Sequence, residues 1–389
     1  PIYKGALYGL SLLSAVLAMK TKENAFTLPV ILILFELFFL DGPIKIRLVR
    51  LIPFFLTAFL IPLSIVGMEN PVEKIINHAL DPASFLTPGI PKEVYLFTQF
   101  RVLITYLRLL FLPINQNLDY EYPLFKTFWE PQVLLSLAFH ISILGLAVYL
   151  FVQSRSRAPE LRILSFGILW FYITHSIESS IIPLQMIICE YRVYLPSVGI
   201  FLSVVTGLFF LWRKLTKEAS KSLSGAILIL SLSVILLTIL TYSRNALWTD
   251  SVRLWEDVTR KSPSNPRGHY NLGLAYGKEG RLDEAAREFQ TTLTLNPRHA
   301  NAYNNLGLVY ERQGRIDEAV RAIEAALELE PNSANFYYNL GVVLGRKGRI
   351  DEAVKAFQTT LRLHPHDANA YNNLGVNARN NLMRLQEMM

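Results

Sequence analysis

The chain carries GRLDEA at 280–285, GRIDEA at 314–319 and GRIDEA again at 348–353. Everything around this hexapeptide keeps step with it. Pro263, Pro297, Pro331 and Pro365 stand one period apart, as do Asn271-Leu272-Gly273, Asn305-Leu306-Gly307, Asn339-Leu340-Gly341 and Asn373-Leu374-Gly375. A unit of this length buries its apolar face only against its neighbours, so the pattern predicts a stack. Gly280, Gly314 and Gly348 suit a left-handed turn that ends a helix, and the Asp after each suits a helix N-cap. Gly273, Gly307 and Gly341, with Ala285, Ala319 and Ala353, mark places where two helices come too close for larger side chains. The prolines end each unit.

Period, glycine and proline placement resemble tetratricopeptide repeats, with two antiparallel helices per unit. Residues 263–389 hold three complete repeats and a fourth that begins at Ala368 and dissolves into NARNNLMRLQEMM, a tail that reads as a poor cap or as a cut. In such a stack the first helix of each unit lines the concave surface. Asn271, Asn305, Asn339 and Asn373 then form one ladder, and Asn301, Asn335 and Asn369 a second. An amide both donates and accepts, which suits the backbone of an extended peptide or a protein partner. The competing reading gives these asparagines a capping and solubilising role.

The first 245 residues are of another kind. The chain has 389 residues, is 51% hydrophobic and has a mean hydropathy of +0.29, too apolar for an ordinary soluble protein of this size. Apolar runs at 3–20, 25–40, 50–68, 133–152, 163–177, 193–212 and 224–243 predict membrane crossings. The fold class expected is therefore all-α: a polytopic transmembrane helix bundle over 1–245, a connecting helix over 246–262, and a repeat solenoid over 263–389. The chain begins with Pro and opens directly into an apolar run, which reads as a missing N-terminal part.

Charge supplies the topology. Segments 41–50, 154–162 and 213–221 are basic, whereas 69–95 and 113–132 are acidic. If 94–112, with Arg101 and Arg108 on one face, lies in the interface, all the basic loops share the cytoplasmic side. That arrangement gives seven crossings and puts KTKEN (20–24), CEYR (189–192) and the repeats on the non-cytoplasmic side, a periplasm or an endoplasmic reticulum lumen. The net charge of +7 sits mostly in these loops, and no basic groove fit for nucleic acid appears. The single cysteine, Cys189, excludes an intrachain disulfide and a cysteine metal cluster, and no metal site is expected.

CEYRVYLPSVG (189–199) sets Glu190 and Arg192 among apolar residues. Ionisable groups at that depth need a partner or a task. One reading is an interfacial ion pair with Tyr191 and Tyr194 as belt aromatics; the other is a ligand site.

TKENAFTLPVILILFELFF (21–39), FRVLITYLRLLFLPINQNLDYEYP (100–123), ESSIIPLQMIICEYRVYLPSVG (178–199) and RNALWTDSVRLWEDV (244–258) resemble the transmembrane-and-tetratricopeptide family of O-mannosyltransferase-like proteins. The resemblance implies a polytopic glycosyltransferase that takes a sugar, mannose in the named family, from a polyprenyl- or dolichyl-phosphate donor and passes it to protein hydroxyls. It implies lipid-phosphate contacts at Lys22, Glu23, Glu190 and Arg192. The catalytic residue remains unassigned, because the family's acidic loop would precede Pro1. Fixed cations would stabilise the phosphate leaving group. The alternative is a non-catalytic, membrane-anchored repeat scaffold for protein–protein interaction. A transporter would want internal pseudo-symmetry, and residues 1–245 show none.

Overall fold

The computed structural model describes residues 2–19, 23–60, 90–154, 158–177, 179, 186–215 and 219–376; helices and turns make up its regular structure, with no strand among these residues. Two compact units emerge, Pro1–Leu118 with Tyr122–Thr241, and Asp119–Glu121 with Tyr242–Met389.

In the first unit, Lys92–Phe111, Pro131–Ser154, Glu190–Lys214 and Leu230–Thr249 are long and apolar enough to cross a membrane. The last reaches past the unit's boundary at Thr241. Leu135, Ile141 and Val148 stand exposed on one of these helices, and Leu232, Val234 and Ile239 on another. Rows of exposed aliphatics of this kind are what hydrocarbon solvates and water does not. Expected crossing 163–177 forms the shorter helix Glu160–His175. Expected crossing 50–68 lies outside the described residues beyond 60, as does most of the acidic loop 69–95. Segment 94–112 coincides with the helix Lys92–Phe111 up to its C-cap Leu112, and the length and apolarity of that helix qualify it as a span, so its interfacial assignment rests on loop charge and on Arg101 and Arg108 sharing a face.

Glycine sets the tightest crossing in this unit. Gly167 on Glu160–His175 faces Gly199 on Tyr194–Leu215, and a Cβ on Gly199 would lie 2.8 Å from the Cβ of Trp170. Small residues at such a crossing let backbones touch where no hydrophobic force drives helices together. Two hydrogen bonds lock it: Ser203 Oγ donates to the Leu164 carbonyl at 2.9 Å, and Trp170 Nε1 to the Leu195 carbonyl at 3.0 Å. Elsewhere, the carbonyl end of Leu28–Phe39 receives Arg47 at Glu36 and Leu40, and Arg162 at Phe38. A cation at a helix C-terminus is favoured by the dipole.

The second unit is the repeat stack. Pro266–Lys278 pairs with Leu282–Leu295, Ala300–Arg312 with Ile316–Leu329, and Ala334–Lys347 with Ile350–Leu363. A further helical stretch over 368–376 opens the fourth repeat. One core runs through the stack, with Phe289, Ile323 and Phe357 wholly buried. The glycine expectations hold. Gly280, Gly314 and Gly348 have φ of 76°, 77° and 80°, and a Cβ on Gly273 or Gly341 would sit 2.8 Å from the ring of Phe289 or Phe357.

The expected Asp caps are wrong. The N-cap positions are Arg281, Arg315 and Arg349, and Asp283, Asp317 and Asp351 lie within the first turn, where the helix dipole favours an acid without a capping bond. Each N-cap Arg reaches the Glu three residues on: Glu284, Glu318 and Glu352. Arg281 and Arg315 also lie 4.2 Å above the rings of Tyr276 and Tyr310.

The connecting segment contributes Ser251–Lys261, capped by Asp250, whose carboxylate accepts from the backbone N–H of Val252 and Arg253. Val252 and Val258 are buried and keep the repeat period with Ala286 and Thr292, buried in their turn. The segment thus stands where the second helix of a preceding, incomplete repeat would stand. Asp257 on it is buried between Arg244, Arg260 and Lys261. Burial alone would raise its carboxyl pKa, but hydrogen bonds from Lys261, Arg244 and Arg260 outweigh that and hold it below the ordinary value.

Candidate functional site

The expected ladders take shape on the first helices of the repeats. Asn271, Asn305, Asn339 and Asn373 are half-buried and in register. The amide of Asn305 donates to the Tyr270 hydroxyl at 3.0 Å, that of Asn339 to Asn304 Oδ1 at 2.9 Å, and that of Asn373 to the Tyr338 hydroxyl at 3.0 Å. Each bond spans one repeat. Asn271 has no repeat of this kind before it and donates to the Arg267 carbonyl at 2.9 Å. Three of the four rungs therefore spend an amide hydrogen on holding neighbouring repeats together, and the side-chain oxygen of Asn305 accepts from the Asn304 amide at 3.4 Å. Amide orientation here follows from the bonding pattern.

The second ladder differs. Asn301, Asn335 and Asn369 are exposed, one helical turn before the first ladder on the same helix face. Their amides are open to solvent and to any chain laid across the stack. Spacing alone identified both rows, but the Tyr270, Asn304 and Tyr338 partners went unread because they alternate in type from one repeat to the next.

His299 lies at the junction of the first two repeats. Its ring stacks on Tyr270 at 4.7 Å, and its Nδ1 accepts the Ala302 N–H at 3.2 Å, capping Ala300–Arg312. Burial draws its pKa down, with the Glu330 carboxylate opposing.

In the first unit, Glu190 and Arg192 stand on a short 3-10 turn, Glu190–Val193. Glu190 accepts the Asn117 N–H at 2.8 Å, and Arg192, only 6% exposed, donates to the Met186 carbonyl at 2.8 Å. Arg192 also lines a cleft of about 370 Å³ with Thr27, Trp170, Thr174, Tyr191 and Tyr194. Thr27 ends the 3-10 turn Glu23–Thr27, so the segment after Lys22 meets the CEYR turn at one cleft. Lys22 itself, and the side chain of Glu23, lie outside the described residues.

Two buried groups that sequence reasoning passed over hold the CEYR turn in place. Gln99 Nε2 donates to the Ile187 carbonyl at 2.9 Å, and the Tyr106 hydroxyl accepts the Cys189 N–H at 2.9 Å. A polar Gln99 within an apolar run was the available signal. His140, an isolated histidine in the sequence, is satisfied by the Tyr172 hydroxyl and the Phe100 carbonyl.

The tetratricopeptide-repeat family profile matches residues 237–289, 270–334, 306–368 and 338–381. Among solved structures, a crystal structure of MamA is 26% identical over 34% of this chain and 78% of its own, with a TM-score of 0.33. MamA from Desulfovibrio magneticus RS-1 is 23% identical over 36% and 82%, with a TM-score of 0.34. The first TPR domain of Spaghetti (RPAP3), solved bound to the HSP90 peptide SRMEEVD, is 22% identical over 29% and 90%, with a TM-score of 0.29. No curated protein matches the chain.

Proposed function

We propose that this tetratricopeptide-repeat chain is a membrane-anchored scaffold whose repeats bind an extended segment of a protein partner. The carrying observation is the exposed asparagine row, Asn301, Asn335 and Asn369, lying beside a second row whose amides already fix the repeats in register. A rigid array of donors and acceptors at the repeat spacing meets an extended backbone at little ordering cost. The apolar helices of the first unit station the array at a membrane, and the loop charges favour the non-cytoplasmic side. The test uses the full chain in uncharged detergent and a fluorescein-labelled neutral peptide, Thr-Gln-Val-Gln-Thr-Gln-Val-Gln-Thr. Binding by anisotropy, lost at least tenfold when Asn301, Asn335 and Asn369 are changed together to Ala, supports the reading; equal binding by both proteins sinks it.

The cleft at Arg192 favours a second reading, in which the chain is the later part of a glycosyltransferase using a polyprenyl- or dolichyl-phosphate sugar, with protein hydroxyls as acceptors. A buried guanidinium beside two threonines and an apolar wall suits a phosphate head on a lipid tail. Mass spectrometry of the purified protein and of Arg192→Ala is the discriminating test. Polyprenyl phosphate retained by the first and lost from the second favours the enzyme. Its absence from both returns the first unit to the role of anchor.

A further inference from the structure

Arg101 and Arg108 have no part in either functional reading. They stand seven residues apart on one face of Lys92–Phe111, and both are exposed. No carboxylate pairs with either arginine among the described residues. Arg108 Nη1 donates to the Ile114 carbonyl at 3.1 Å, which fixes the guanidinium where the helix ends. Thr105, between the two on the same face, shares a 2.9 Å hydrogen bond with the Tyr122 hydroxyl. Burial pushes the pKa of that hydroxyl up, and the Thr105 bond and the charges of Arg101 and Arg108 oppose the rise. Two cations and a hydroxyl pair thus gather at one place.

A groove of about 460 Å³ adjoins Arg108. Lys92–Phe111 forms one wall with Ile104 and Phe111, and Pro131–Ser154 another with Phe139 and Ile143. Ile168 on Glu160–His175 and Ile200 on Tyr194–Leu215 complete it. The exposed lining is apolar throughout, so Arg108 lends the groove only its hydrocarbon stem and keeps its charge outside. The Ser203 hydroxyl, also at the wall, is spent on the Leu164 carbonyl. The groove shares no residue with the cleft at Arg192.

We propose that the groove and its two arginines hold an anionic phospholipid, with an acyl chain in the slot and the phosphate head on Arg101 and Arg108. The proposal goes beyond both functional readings and rests only on the first unit lying in a membrane. Lipid tails are as apolar as the groove, so a tail that enters it gains packing and little else. What separates one phospholipid from another is then the headgroup. A zwitterionic head carries a cation of its own, which the arginines repel, whereas a net-negative head meets them without that cost. A soluble anion would leave the apolar slot unfilled, and a neutral lipid would leave the two charges unanswered.

The experiment reconstitutes the full chain in phosphatidylcholine liposomes with a trace of phosphatidylglycerol or of phosphatidylcholine, each bearing a diazirine in one acyl chain. After irradiation, peptide mass spectrometry maps the adducts. Phosphatidylglycerol should label Phe139 and Ile143 about three- to tenfold more than phosphatidylcholine does, while the two probes label the exposed Leu232 equally. Arg101→Gln with Arg108→Gln should equalise the probes in the groove, and Arg101→Lys with Arg108→Lys should keep the preference. Ile143→Trp, which fills the slot, should lower labelling of Phe139 by both probes and leave Leu232 unchanged. An unaltered melting temperature in the Gln variant separates a lost headgroup contact from a lost fold. Equal labelling of the groove by the two probes, or a preference that survives the Gln variant, overturns the proposal. Labelling of Leu232 with none in the groove overturns it too, because protein then covers the slot. Absence of labelling at both places removes the membrane premise and the proposal with it. Competition by a polyprenyl phosphate at a lower molar fraction than by unlabelled phosphatidylglycerol overturns the choice of phospholipid.

Discussion

The side-chain amide of Asn305 donates to the Tyr270 hydroxyl across 3.0 Å, one repeat away. Asn304 bridges onward: it accepts from Asn339 at 2.9 Å and donates to Asn305 at 3.4 Å. A single hydrogen-bonded thread thus passes through three successive first helices. Asn305→Leu cuts it and leaves the Tyr270 hydroxyl without its donor. The expected cost is about 1–2 kcal/mol. Asn301→Ala, on the exposed row, should cost less than about 0.5 kcal/mol. Thermal unfolding followed by circular dichroism compares the two, and equal losses would argue against the division of labour between the rows.

Gly307 and Gly277 give opposite expectations. A Cβ on Gly307 meets Ile323 Cγ1 at 2.6 Å and the Ala319 carbonyl at 3.0 Å, and the backbone cannot yield as a side chain would. Gly307→Val should therefore destabilise by about 1–3 kcal/mol or more. Gly277 is helical with open space around it. Gly277→Ala should stabilise by about 0.5–1 kcal/mol through helix propensity. Both are read from urea titrations.

The crossing of Gly167 with Gly199 makes a matching prediction for the first unit. Gly167→Leu drives a side chain into the Gly199 backbone and Ser203. The variant should melt at a clearly lower temperature in detergent. Gly145→Leu, with open space at its Cβ, should behave like the unmodified protein.

His299 confers a pH dependence with a definite sign. Burial lowers its folded-state pKa below 6.5, so the neutral ring is favoured by folding and its Nδ1 caps a helix. That stability is present above pH 6.5 and is lost as the pH falls below it towards the folded-state value. Melting temperatures at pH 7.5 and 5.5 should differ, and His299→Asn, which caps without titrating in this range, should flatten the difference.

The repeat architecture was legible because its determinants are local and periodic. Gly280 must take positive φ and Gly341 must clear Phe357, and both needs recur at fixed spacing. Asp283 misled because a short polar residue suits both an N-cap and a first turn, and only the helix start at Leu282 distinguishes them. The incomplete repeat at Ser251–Lys261 was read as a mere connector because it lacks the Gly-Arg-x-Asp signature while keeping the burial pattern at Val252 and Val258. In the first unit the sequence pointed to Arg192 but not to Gln99 or Tyr106, since partners 88 and 83 residues away leave no periodic trace.

The most direct test of the account places a photo-crosslinking p-benzoylphenylalanine at position 335, on the amide-bearing face, or at position 355, exposed on a second helix. The full chain is then irradiated with the fluorescein-labelled neutral nonapeptide. The account predicts crosslinked peptide at 335 and none above background at 355. Equal crosslinking at both positions, or crosslinking at 355 alone, would contradict the claim that the asparagine face is the binding surface.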